Sequence, residues 1–130
     1  MKRIYQLTNT DFDWQCTIAI DEDHLISQSG SESFYAKDII KYMVEFWVGW
    51  ETRLEENEGD YIKTFLQQLA RQVLYLAIEN PRYNISGIIA SFRDLEGWSI
   101  PDGSDGIELV SFDRIEIEHE RFQVEEVENG

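Results

Sequence analysis

The chain has 130 residues, with 11 basic against 26 acidic side chains and a formal charge of -15. That size is one domain, residues 1–130, and 42% hydrophobic content with four Trp supplies a core, so disorder is excluded. A surface this acidic repels phosphate backbones and anionic membranes, so direct nucleic-acid binding is not expected and a basic protein partner is favoured.

Cys16 is the sole cysteine, which rules out an intrachain disulfide and a cysteine-held zinc, and suits a cytoplasmic location. The first residues turn polar at Gln6, Thr8 and Asn9 before any signal-peptide core develops. Lys41 and Glu45 break the longest apolar stretch, from Ile39 to Trp50, and it is too short to span a bilayer, so no membrane association is expected.

Ile4 to Thr8 alternate in character, and after Asn9-Thr10-Asp11 a second alternation places Trp14, Cys16, Ile18 and Ile20 on one side and Gln15, Thr17 and Ala19 on the other. The pattern predicts an antiparallel hairpin with one buried face. Capping side chains at Ser31 to Ser33 predict a helix start, and Ile40, Met43 or Val44, Trp47 and Leu54 continue it into the low fifties, to a left-handed stop at Gly59. Asp60 caps a second helix striped by Ile62, Phe65, Leu66, Leu69, Val73, Leu76 and Ala77 and ended by Asn80-Pro81. Asn84 caps a third with Ile85, Ile88, Ile89, Phe92 and Leu95 on one face, stopping at Gly97.

Beyond the turn-rich loop 97–106 the period returns to two, through Ile107 and Leu109, Ile115 and Ile117, then Phe122 and Val124. Parity changes between Leu109 and Phe112, and again before Phe122, predict bulges or turns in either one bent ribbon or two short strands. The result is an α+β fold of order ββαααββ, an antiparallel sheet of about four strands with three helices on one face.

No catalytic, cofactor-binding or metal site is expected, and the protein is read as a non-enzyme. Cys16 is in phase with the buried side of its strand, which makes it structural, and His24 and His119 read as solvated surface residues. Asp102-Gly103-Ser104-Asp105-Gly106 fails the spacing of a calcium loop, because the first and third ligand positions would fall on Pro101 and Gly103. P-loop, dinucleotide-binding, zinc-protease and nucleophile-elbow motifs are absent from the sequence.

Two features suggest contact with a partner. Tyr42, Phe46 and Trp50 form a second aromatic set beside the first helix stripe; core packing is the favoured reading, helped by Gly49 as a close-approach position, with an interface as the alternative. Residues 101–130 hold ten acidic and two basic side chains. There Glu116, Glu118 and Glu120 form a row at about 6.6 Å spacing along a strand, roughly half the axial charge density of one DNA strand, with Glu125 available to add to it. Charge placed to protect a sheet edge from aggregation explains the same row.

The alternating N-terminal strands, the helix Ile39-Ile40-Lys41-Tyr42-Met43-Val44-Glu45-Phe46-Trp47, and the region from Glu96-Gly97-Trp98 to Asp105-Gly106-Ile107-Glu108-Leu109 followed by an acidic strand resemble a family of uncharacterised small acidic bacterial proteins of plasmids, phages and other mobile elements. The resemblance implies an α+β fold and an accessory role, with no assigned activity and no functional residues. Glu116, Glu118, Glu120, Glu125 and Trp50 are the candidate partner-binding residues for a mobile-element factor acting on a basic host protein. A homodimer or a small-ligand module built on the aromatic helix surface is the alternative.

Overall fold

A computed structural model describes residues 2–23, 36–114 and 123–127. Strand β1 (Lys2–Asn9) and strand β2 (Trp14–Asp21) pair antiparallel, with Asn9 opposite Trp14 and Lys2 opposite Asp21. The turn is closed by the Asn9 side chain, whose Oδ1 accepts from the backbone N–H groups of Asp11 at 3.0 Å and Phe12 at 3.2 Å. Four helices follow: α1 (Ala36–Glu45), α2 (Trp50–Glu56), α3 (Tyr61–Glu79) and α4 (Ile85–Ser91), which runs into a short 3₁₀ turn at Phe92–Asp94. Strand β3 (Ile107–Phe112) returns to lie against β2, giving a three-stranded sheet in the order β1-β2-β3.

The fold is α+β, as the alternation and helix stripes predict, but the described elements run ββααααβ rather than ββαααββ, with three strands in the sheet rather than about four and β2 in its middle. Trp14, Cys16, Ile18 and Ile20 all point to its buried side and share one core with Ile40 and Val44 of α1, Phe65, Leu69 and Val73 of α3, and Ile88 of α4. Each large aliphatic side chain removed from water there contributes about 1.5–3 kcal/mol before conformational entropy is counted. The opposite face is polar toward the turn, where Gln15 is exposed and Thr17 half-buried, but Ala19 on the same face is buried, so that face is not solvated along its whole length. β3 is tied to the hairpin beyond the ladder, since Trp14 Nε1 donates to the Asp113 carbonyl oxygen at 2.8 Å.

The parity change in the last strand has the predicted cause. Thr17 pairs with Ser111 but Ile18 pairs with Leu109, so Val110 is an extra residue that bulges from β3. The bulge lets Leu109 and Phe112 both face the core side although they are an odd number of residues apart.

Three further expectations are corrected. The first helix does not run unbroken into the low fifties: it stops at Glu45, and Gly49, at φ 84°, turns the chain before α2 starts at Trp50. Gly49 is therefore a left-handed break rather than a close-approach position inside a helix. The third helix ends at Ser91 and its 3₁₀ extension at Asp94, short of Gly97, which lies in the following turn at φ 83°. Val124, expected in a strand, is 96% exposed in a segment without regular structure. The helix start at Ser31 to Ser33 and the strand residues Ile115, Ile117 and Phe122 lie outside the described residues. Helix α3 matches its prediction: the Asp60 side chain accepts from Lys63 N at 3.0 Å and the helix ends before Asn80.

Candidate functional site

Three pieces of chain meet beside the core to form a cleft. The turn between α1 and α2 brings Trp47 and Val48, and α2 itself brings Arg53, to the middle of α3, where Gln67, Gln68, Arg71, Gln72 and Tyr75 recur along one side, and Trp98 from the loop before β3 closes the floor. The cleft is open on one side and has a volume of about 320 Å³. Helix α3 supplies its residues at the helical period because its other side, Phe65, Leu69, Val73 and Leu76, is buried in the core.

The floor is a block of aromatic rings. Trp98 lies 5.5 Å from Trp47, 5.9 Å edge-on from Phe92 and 6.3 Å from Phe65, measured between ring centroids. Phe46 adds an edge contact to Trp47 at 5.0 Å. Trp47 and Trp98 are half-buried, so each keeps part of its ring toward the cleft.

Both cations of the cleft are held by neutral groups. Arg53 Nη1 donates to the Val48 carbonyl oxygen at 3.2 Å, and with the Gln68 amide oxygen turned toward it, Nε and Nη2 each donate to that oxygen at 2.9 Å. Arg71 donates from Nε and Nη2 to the Tyr75 hydroxyl at 3.2 and 3.0 Å, with its guanidinium 5.1 Å from the centroid of that ring. Beyond Arg71, further grooves continue along α3 past Gln67 to Lys63, bordered by Thr8 and Arg3 of the edge strand β1. Negative charge thus does not cover the whole surface evenly.

Of the candidate partner residues, the two that are described, Trp50 and Glu125, are not among those that line this cleft. Trp50 is half-buried and packs on the core at the start of α2. Glu125 is exposed in an irregular segment, and Glu116, Glu118 and Glu120 lie outside the described residues. In the second aromatic set, the core reading fails for Tyr42 and Phe46, which are 70% and 53% exposed. The residues missed by sequence reasoning are Arg53, Arg71 and Trp98. Arg71 and Tyr75 stand four apart on a helix, a visible pairing signal, but nothing in the sequence brings Arg53 and Trp98 to them.

Cys16 is structural in its setting. It is 1% exposed, and burial, with the Asp113 carboxylate adding to it, pushes its thiol up to about 12. A thiol so placed is protonated at neutral pH and is not a nucleophile. His24 and His119 lie outside the described residues. Among the described residues no group of three His, Cys, Asp or Glu side chains is placed to hold a metal ion. No helix among them is long and apolar enough to cross a membrane. In the Asp102 loop the carboxylate is engaged with its own turn, its Oδ1 accepting from Ser104 N at 2.9 Å and Ser104 Oγ at 2.6 Å.

Comparison with known proteins adds a biological setting. The chain is 29% identical over 108 residues to protein ea10 of Escherichia phage lambda, covering 79% of this chain and 80% of that protein. The lambda prophage-derived protein ea10 of Escherichia coli O6:H1 matches with the same identity and coverage. No protein family profile matches the chain. No solved structure matches it either. The similarity to phage and prophage proteins bears out the mobile-element part of the sequence resemblance.

Proposed function

We propose that the protein is a non-enzymatic accessory factor of a phage-like element that works in the host cytoplasm by binding a basic host protein through its acidic surface. The observation that carries this reading is uncompensated charge. The chain holds 26 acidic against 11 basic side chains, and the described ion pairs Lys2–Glu108 at 3.9 Å and Lys41–Glu45 at 4.0 Å are long and solvent-exposed. The resulting field steers a basic partner and raises its encounter rate, while contact residues set the lifetime of the complex. Similarity to phage and prophage proteins supports the accessory role.

The test is affinity capture from host lysate at low and moderate salt, using the full chain and a Glu116→Gln, Glu118→Gln, Glu120→Gln variant. A basic protein retained at low salt, weakened at moderate salt and lost with the variant is the expected result. Capture of nothing at either salt, or capture unaffected by the substitutions, overturns the reading.

A homodimer is the second reading, favoured by the exposure of Tyr42 at 70%, Phe46 at 53% and Val48 at 97% around the end of α1. Sedimentation equilibrium on the parent and on Val48→Glu decides it: a dimer in the parent that dissociates in the variant supports self-association, and a monomer in both removes it.

A further inference from the structure

The cleft beside α3 inverts the charge character of the chain. With a net charge of -15 overall, it is lined by Arg53 and Arg71 and by no Asp or Glu. Among the described residues neither guanidinium has a carboxylate partner. Arg53 is held by the Val48 carbonyl and the Gln68 amide, and Arg71 by the Tyr75 hydroxyl and ring. Such contacts orient the planar forks without neutralising them, which leaves both positive charges available to an incoming anion.

The second half of the cleft is aromatic, with the Trp47 and Trp98 ring planes inclined at 36° to each other. Trp98 is backed by Phe65 and Phe92, while Trp47 packs on Trp98 and meets Phe46 edge-on, so both rings are held by aromatic neighbours and need little ordering on binding. The cleft volume of about 320 Å³ falls at the small end of ligand sites, which run from about 300 Å³ upward. Apolar rings with a few polar groups at one side is the usual composition of a small-molecule site.

We propose that this cleft is a binding site for a small anion with a planar aromatic body, its phosphate or carboxylate held by Arg53 and Arg71 and its ring packed against Trp47 and Trp98. The Gln72 amide offers a donor and an acceptor to the ring edge, and Gln67, whose Oε1 accepts from Asn57 Nδ2 at 2.8 Å, offers its amide N–H groups. Two sources supply that chemistry, a nucleoside monophosphate and an aromatic carboxylate. The site is independent of the acidic surface and stands or falls separately from the proposed partner binding.

The test uses the full ¹⁵N-labelled chain, titrated with AMP and with indole-3-acetate, each beside its neutral counterpart, adenosine or indole-3-acetamide. The Trp47 and Trp98 indole N–H and Arg53 and Arg71 Nε–H resonances are followed. One anion is expected to shift these signals saturably, with its neutral counterpart binding roughly tenfold or more weakly, the factor that loss of a charged hydrogen bond produces. Arg71→Gln should weaken binding by a similar factor. Val48→Glu, which places a carboxylate at a 97% exposed lining position, should do the same without touching the core. Saturation by AMP alone assigns a nucleotide, and by indole-3-acetate alone an aromatic acid. The proposal is overturned if neither anion shifts these signals at millimolar concentration. Equal binding of charged and neutral forms, or unchanged binding in both variants with preserved spectra, overturns it too.

Discussion

Gly97 lies so close to the Trp47 ring that a Cβ on it would stand 2.9 Å from Trp47 Cζ2, and the Phe46 ring presses on the same spot. Its φ of 83° is also in the left-handed region. One glycine therefore lets the loop before β3 sit under the aromatic turn that walls the cleft.

Gly97→Ala meets both obstacles at once. A left-handed backbone costs a residue with a Cβ about 1–2 kcal/mol and overpacking adds a comparable amount, so the substitution should destabilise the protein by about 2–4 kcal/mol. Urea unfolding measures it. A change within about 0.5 kcal/mol, the size of an ordinary surface substitution, would show that the aromatic turn moves aside freely.

Gly49→Ala should cost less. Gly49 also has a left-handed φ, of 84°, but its added Cβ would meet only the flexible tip of Arg53, Nη1 at 3.2 Å. The penalty is then mainly backbone, about 1–2 kcal/mol, and the Arg53 contact to Val48 O should loosen with it. A larger loss than that of Gly97→Ala in the same unfolding assay would contradict this ordering.

Cys16 should be silent to thiol reagents at pH 8 until the protein unfolds. Burial and the Asp113 carboxylate raise its thiol from 9.0 to about 12. Between those values the folded chain keeps a proton that the unfolded chain releases. The stability linked to Cys16 is therefore complete below pH 9.0 and is lost as pH rises toward 12. Comparing unfolding free energies at pH 8 and pH 10.5 should show a steeper decline in the parent than in Cys16→Ala; equal slopes would refute the linkage.

Asp102 should titrate below the ordinary aspartate range. The Ser104 hydroxyl is the main cause, followed by the Ser104 backbone N–H, with a smaller contribution from the Arg93 charge. Ser104→Ala removes the first and keeps the second, so the Asp102 pKa should rise part of the way back in carboxyl NMR titration. An unchanged pKa would assign the depression to the backbone and Arg93 alone.

Legibility in the sequence followed locality. The Asp60 and Asn84 caps were readable because a capping side chain bonds a backbone N–H three residues on, at 3.0 Å in both cases. The Val110 bulge was readable as a parity slip between Leu109 and Phe112. The break at Gly49 was not, because a glycine within an apolar helical period is compatible with either a packed helix or a left-handed turn, and the neighbours decide between them.

The sequence by itself determined the α+β class, the hairpin, the span of α3 and the structural character of Cys16, since each depends on a period or a spacing carried by contiguous residues. Only the tertiary structure decided that Tyr42 and Phe46 face outward and that Trp47, Arg53, Arg71 and Trp98 share a cleft. That cleft joins residues from the α1–α2 turn with α2, the middle of α3 and the loop before β3, and their meeting depends on how helices pack over the sheet. No local period along the chain encodes such a juxtaposition of distant segments.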